Sequence, residues 1–206
     1  MTLLDRIVLL ATGLVAVYLL YNFYGRYSKK KALYDLYYML GFAVLFVSGV
    51  LLIIRGYEIL GTPFVLTVAS LIPLGVSLGI ANQFYPGWKK LFAWFALIGF
   101  LAIAYTTIAE SDLKRMAVPL FHGVAGFVIF LGPIFAEKNG KAPKGFFWVG
   151  IGGALIGIGG MALAFISAGK PLPLFSEDFV MTILAPLLFL MVLAFAMGFN
   201  KDLKGS

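Results

Sequence analysis

The sequence predicts an all-α protein, a single integral membrane bundle of about seven transmembrane helices. Three observations carry that prediction. The 206 residues are 62% hydrophobic and only 12% charged, against about 45–50% apolar and about 25% charged in soluble domains; mean hydropathy is +1.00. The apolar residues gather into seven runs without charge, each about long enough as a helix to cross the ~30 Å hydrocarbon core of a bilayer. Finally, the charges between the runs are sorted, with most lysines at alternate ends.

The first run, Ile7 to Tyr24, follows Asp5 and Arg6 and has no small-residue cleavage pattern after it, so it reads as a retained helix rather than a signal peptide. The second, Leu36 to Ile54, is bounded by Asp35 and Arg55. The third, Phe64 to Ala81, opens after Pro63 and carries Thr67, Ser70, Leu74 and Ser77 at helical spacing. Pro73 removes a backbone donor there and frees the carbonyl of Ala69, which predicts a mildly polar, kinked stripe. The fourth, Leu91 to Ala109, follows Lys89 and Lys90 and ends at Tyr105, Thr106 and Thr107. The fifth, Met116 to Ala136, holds Pro119, Pro133 and His122, the one histidine.

The sixth run, Phe146 to Ala168, contains Gly150 to Gly160 with the sequence GIGGALIGIGG. In water each such glycine would cost about 1 kcal/mol relative to alanine. Lipid enforces the helix, because every backbone group must be bonded internally, and the glycines become contact surface. Gly153 and Gly157 stand four apart, as do Gly150 and Ala154, and Gly160 and Ala164. Small residues on several sides predict a helix near the centre of the bundle. A dinucleotide fingerprint is excluded, since its third glycine would fall on Leu155. The seventh run, Phe179 to Phe199, includes Thr182 and Pro186.

The net charge of +7 is a topology signal. Ends on the N-terminal side carry five basic residues (Arg6, Arg55, Lys114, Arg115, Lys170) and six acids, whereas the opposite ends carry eleven basic residues and three acids. The positive-inside rule places the N-terminus outside and the C-terminus in the cytoplasm. Trp88, Trp94, Trp148, Tyr24 and Tyr85 fall near the cytoplasmic ends, where amphipathic rings favour the interface. Lys29 to Lys31 form a short cluster suited to anionic lipid headgroups. Nucleic acid is not an expected partner.

Similar openings of the third and seventh runs, and of the fourth and sixth, suggest three helical hairpins after a leading helix. Over its whole length the chain resembles small archaeal multispanning membrane proteins of uncharacterised families. The seven-span layout and the short Lys-rich loops carry that resemblance, which implies no functional residues.

No Asp, Glu, Lys or Arg lies deep in any run, although ion-coupled carriers usually place one there. The last run has no lysine for retinal, one histidine cannot ligate haem twice, and Ser48, in Val47-Ser48-Gly49, lacks the glycine ahead of it that a serine–histidine dyad with His122 would need. Cysteine is absent, which removes disulfides and thiolate chemistry. No catalytic residue, metal or cofactor is expected. The candidate ligand-binding residues are Thr67, Ser70, Tyr105, His122 and Thr182, near the outer ends; Gly150, Gly153, Gly157 and Gly160 are the candidate helix-packing residues. The expected function is a small transporter, channel or ligand-binding bundle for an apolar, amphiphilic or weakly polar molecule. The alternative is a non-catalytic accessory subunit that packs on a membrane-protein partner or on a second copy of the chain.

Overall fold

The computed structural model describes residues 1–167 and 176–205. The expected end of the sixth run at Ala168, and Lys170, lie outside the described residues. Among those described, all regular structure is helical. Helix α1 spans Leu3–Lys30, α2 Leu33–Arg55, α3 Pro63–Ala69, α4 Leu71–Phe84, α5 Lys89–Ile108, α6 Lys114–Lys138, α7 Phe147–Ser167 and α8 Glu177–Gly205; a 3₁₀ turn, Tyr57–Gly61, joins α2 to α3. Six helices are long and apolar enough to cross a membrane, with α3 and α4 counted as one; α7 is apolar over Phe147–Ala162.

Local chemistry sets the helix ends. Helix α1 starts in a capping box in which the Thr2 hydroxyl accepts from the Asp5 amide at 3.1 Å and the Asp5 carboxylate accepts from the Thr2 amide at 2.7 Å. It stops where Lys31 turns left-handed at φ 53°, which brings α2 straight back alongside. Its 28 residues outrun the apolar stretch that predicted it, so its last turns continue past Tyr24 toward the lysine-rich end. Pro63 opens α3 at its first turn, where a missing amide costs nothing. The third span is interrupted at Ser70 alone, three residues ahead of Pro73; Ser70 keeps right-handed helical dihedrals (φ −61°, ψ −23°) and its carbonyl still accepts from the Leu74 amide at 3.2 Å, so the break is confined to the bond that Pro73 cannot donate. Proline supplies no donor and its ring opposes the carbonyl of Ala69. The Ser70 amide is retained by the carbonyls of Leu66 at 3.1 Å and Thr67 at 3.2 Å.

Neighbour relations close a ring. Helix α1 packs on α2 and α8, α2 on α4, α4 on α6, α6 on α7, and α7 on α8. Helix α5 lies outside this ring, against α3, α4 and α6. Large side chains fill the middle: Phe23 from α1, Tyr38 and Phe42 from α2, Ile80 and Phe84 from α4, Met191, Phe195 and Phe199 from α8, with Phe146 just ahead of α7. Phe199 takes Phe42 and Phe146 edge-on, at centroid distances of 5.8 and 5.7 Å. Such pairs add about 0.5–1.5 kcal/mol each beyond area burial.

The expectation of a glycine-rich helix at the centre is corrected. Among the six helices long and apolar enough to cross a membrane, Pro63–Phe84 is the most enclosed, buried over 67% of its apolar window, while among the described residues α7 is one member of the ring. Small residues permit close approach without requiring a central position. On α7, a β-carbon on Gly150 would meet the Phe130 carbonyl oxygen at 2.5 Å and one on Gly153 the Ile129 backbone at 2.7 Å, both on α6. Gly152 lies as close to Phe195 of α8. Gly157 and Gly160 have no described atom within 4 Å of such a β-carbon. The comparable close contact at the centre is between α2 and α4, where a β-carbon on Gly75 would meet the Tyr37 carbonyl oxygen at 2.9 Å.

Candidate functional site

The broken span places two of the expected site residues in the interior. Thr67 and Ser70 are both buried, and each hydroxyl donates to its own helix, Thr67 to the Pro63 carbonyl at 2.9 Å and Ser70 to the Thr67 carbonyl at 2.7 Å. Two turns further on, Ser77 is buried and donates to the Leu74 carbonyl. Helix α3 packs on α5, and α5 on α6, so the helices bearing Thr67, Tyr105 and His122 adjoin. Tyr105 itself is 71% exposed, and its ring points away from the bundle. His122 is half-buried and its Nδ1 lies 3.1 Å from the Val118 carbonyl one turn earlier. That bond makes Nδ1 the protonated nitrogen and leaves Nε2 as an acceptor. Thr182 stands apart. It is exposed on α8, which packs on α7 and α1, and its hydroxyl donates to Asp178.

One polar atom on α5, the helix that packs on α3, is unmatched. The Thr107 hydroxyl at the end of α5 is buried without a hydrogen-bond partner among the described residues, although a helical threonine ordinarily donates to the carbonyl four residues back, as Thr106 does to Ala102 at 2.7 Å. An unmade bond at a buried hydroxyl costs about 1–3 kcal/mol.

At the opposite, lysine-rich end the helices converge on a cluster that no reading of the apolar runs had picked out. Arg26 of α1 and Asp35 of α2 are 6% and 0% exposed, and Asp202 of α8 is 7% exposed. The guanidinium gives Nε and one terminal nitrogen to Asp35 Oδ1, at 2.9 and 2.6 Å, and the other terminal nitrogen to Asp202 Oδ2 at 2.5 Å. Gln83, at the end of α4, donates to both oxygens of Asp202 at 3.0 Å and accepts from the Tyr38 hydroxyl at 2.9 Å. Four helices are thereby tied at one level. Rings of Phe23 and Tyr34 lie 5.6 and 5.1 Å from the guanidinium carbon, so the charge is shielded from water and held over aromatic faces. The three charged groups sum to −1, and Asp35 Oδ2 is buried without a hydrogen-bond partner among the described residues.

Hydropathy places these three outside the spans, because the apolar runs end at Tyr24, begin at Leu36 and end at Phe199. Two signals were available. Arg26 is the single arginine among the eleven basic residues of that end, and Asp35 and Asp202 are two of its three acids. A planar fork suits two carboxylates where a lysine point charge would not.

Beside the cluster an open hollow of about 460 Å³ lies between the last turns of α1 and Leu203 of α8. Tyr21, Asn22, Tyr24, Arg26, Lys29 and Lys30 line it. Among the described residues, no group of His, Cys, Asp and Glu is arranged to hold a metal ion. The chain matches no protein-family model, no curated protein and no solved structure at a significant level.

Proposed function

We propose that this chain is a multi-pass protein of the cell membrane, N-terminus outside, that binds an apolar, amphiphilic or weakly polar molecule between its helices and passes it across by facilitated transport. The observation that carries this reading is the one-residue interruption at Ser70, where Pro73 leaves the Ala69 carbonyl without its helical donor, in the most enclosed of the six long apolar spans. Interrupted spans supply binding sites in several carriers, because freed backbone groups and short side chains there face the interior. Thr67 and Ser70 at the interruption, the unmatched hydroxyl of Thr107, and His122 on α6 form the site in this reading, while Tyr105 faces outward and takes no part in it. The aromatic core below them argues against a standing water-filled pore and for a site that opens by moving helices at their proline and glycine positions.

Native mass spectrometry of the protein released from native membrane discs tests the reading. The wild type is expected to carry a reproducible adduct of small mass. Thr67→Ala combined with His122→Ala should lose it, while Thr182→Ala, on the separate helix α8, should keep it. An adduct that survives the first pair, or a wild type that carries none and shows no flux, ends the proposal.

A second reading, an accessory subunit docked through α7, is favoured by Gly157 and Gly160, around which no described atom fills the space. It expects Gly157→Leu to fold normally and to lose a co-purifying polypeptide or a second copy of the chain. Normal co-purification by that variant counts against it.

A further inference from the structure

We infer that the hollow at the lysine-rich end of α1 is a binding site for a phosphoester anion, distinct from the interior site proposed above. Its walls come from one helical stretch and one neighbour. Positions 21, 22, 25, 26, 29 and 30 recur at helical spacing along α1, and Leu203 of α8 closes the side. Three features select an anion that carries an apolar body. Lys29 and Lys30 are exposed at the mouth and form no ion pair among the described residues, so their ammonium groups are free to turn inward. Arg26 borders the hollow as well; Asp35 and Asp202 hold its guanidinium in place, so it presents a fixed, already ordered wall. Tyr21 and Tyr24 are 77% and 60% exposed. Their rings thus stand beside the lysines with hydroxyls able to donate, at the depth where amphipathic rings and lipid headgroups meet.

The local charge decides the sign of the ligand. The buried cluster contributes −1 and the two lysines +2, so the hollow is net positive, with its negative groups turned away toward the bundle interior. A carboxylate or a phosphate would both be attracted, but a phosphate offers three or more acceptor oxygens to two ammonium groups, two hydroxyls and an amide, and so matches the donor set more fully. Volume agrees: about 460 Å³ exceeds the needs of a bare phosphate and admits a glycerol phosphate headgroup. Two sources supply that chemistry, the headgroup of an anionic phospholipid and a soluble phosphoester.

Native mass spectrometry after reconstitution separates them. The full chain is placed in discs of phosphatidylglycerol or of phosphatidylcholine, and in parallel in detergent with glycerol phosphate. Retention of phosphatidylglycerol in preference to phosphatidylcholine identifies the lipid source; retention of glycerol phosphate in detergent identifies the soluble one. In either case Lys29→Ala with Lys30→Ala should lower retention by about thirtyfold, since each lysine near such a surface contributes roughly fivefold. Lys138→Ala with Lys141→Ala removes the same charge from the same end but outside the hollow, and should lower retention by less than about threefold. Equal losses in the two double variants, or no retention of either phosphoester by the wild type, overturn the proposal. Because Lys29 and Lys30 are exposed at a helix end, the variants should melt with the wild type. The interior site is probed by Thr67 and His122, so either proposal can fail alone.

Discussion

A single guanidinium between two carboxylates, walled by aromatic rings, is stable only while all three charges are present. Arg26→Ala would leave Asp35 and Asp202 facing each other with no cation between them. Removing one partner from such a buried set costs about 3–5 kcal/mol. The variant should therefore melt well below the wild type in mild detergent, as read by circular dichroism. Adding Asp35→Asn and Asp202→Asn should recover part of the loss, because the remaining amides can bond to one another without net charge; an Arg26→Ala protein that melts like the wild type would show the cluster to be energetically idle. At this scale the sequence is least explicit. Arg26 lies two residues beyond the apolar run and Asp35 one residue before the next, so hydropathy alone assigns both to a loop. Their burial depends on how far α1 and α8 extend past their apolar segments, which for α1 is decided by the Lys31 turn and the partner helices rather than by the apolar pattern. The hydroxyls of Thr67, Ser70 and Thr182 illustrate the converse. Their positions on helices are evident from spacing, while their bonding to their own backbones is the ordinary back-bonding of a helical Ser or Thr.

For an element, the decisive quantity is what its small residues touch. Helix α7 presents Gly150 and Gly153 to backbone atoms of α6, and backbone within a packed helix has little room to yield. Gly153→Ala should thus cost about 1–3 kcal/mol through overpacking. Gly157→Ala, with open space around it among the described residues, should be neutral or stabilise slightly, since alanine is the better helix former by about 0.5–1 kcal/mol. Thermal melts of the two variants check this directly, and equal midpoints would mean that α7 does not lean on α6 through Gly153. The glycine spacing reveals that some helix comes close, but it is silent on which of several small-residue faces is occupied. Facing side chains such as Ile129 and Phe195 decide that. The break at Ser70 was more legible. Pro73 forecasts the lost bond at Ala69, and the chain responds by ending α3 at that residue. Pro133 and Pro186 leave α6 and α8 continuous, so proline alone does not fix where a helix divides.

On the scale of the whole molecule, the ring α1, α2, α4, α6, α7, α8 brings the first and last helices into contact, an arrangement that no local feature of the chain announces. It also shows that the three hairpins suggested by sequence similarity are not placed equivalently, because α2 and α7 belong to the ring and α5 lies outside it. The lysine-rich ends nevertheless assemble as one face. Arg26, Asp35, Gln83 and Asp202 are bonded there, Lys141 lies 5.4 Å from the Tyr85 ring centroid, and the side chain of Lys201 packs on Gly145. Orientation across a membrane then reduces to one question, which face meets the cytoplasm. The absence of native cysteine makes the answer clean. Ser28 and Ser176 are both exposed, the first on the lysine-rich face and the second just ahead of α8 at the other end. A single cysteine at each position can be challenged in intact cells with a thiol reagent that does not cross membranes. The charge asymmetry expects Ser176→Cys to react from outside and Ser28→Cys only after the membrane is opened. The reverse pattern would invert the bundle, put the phosphoester hollow on the outer leaflet, and place Thr67 and His122 at the cytoplasmic end. Reaction of both from outside would instead break the ring itself, since the two residues could share a side only if the helices between them crossed an even number of times.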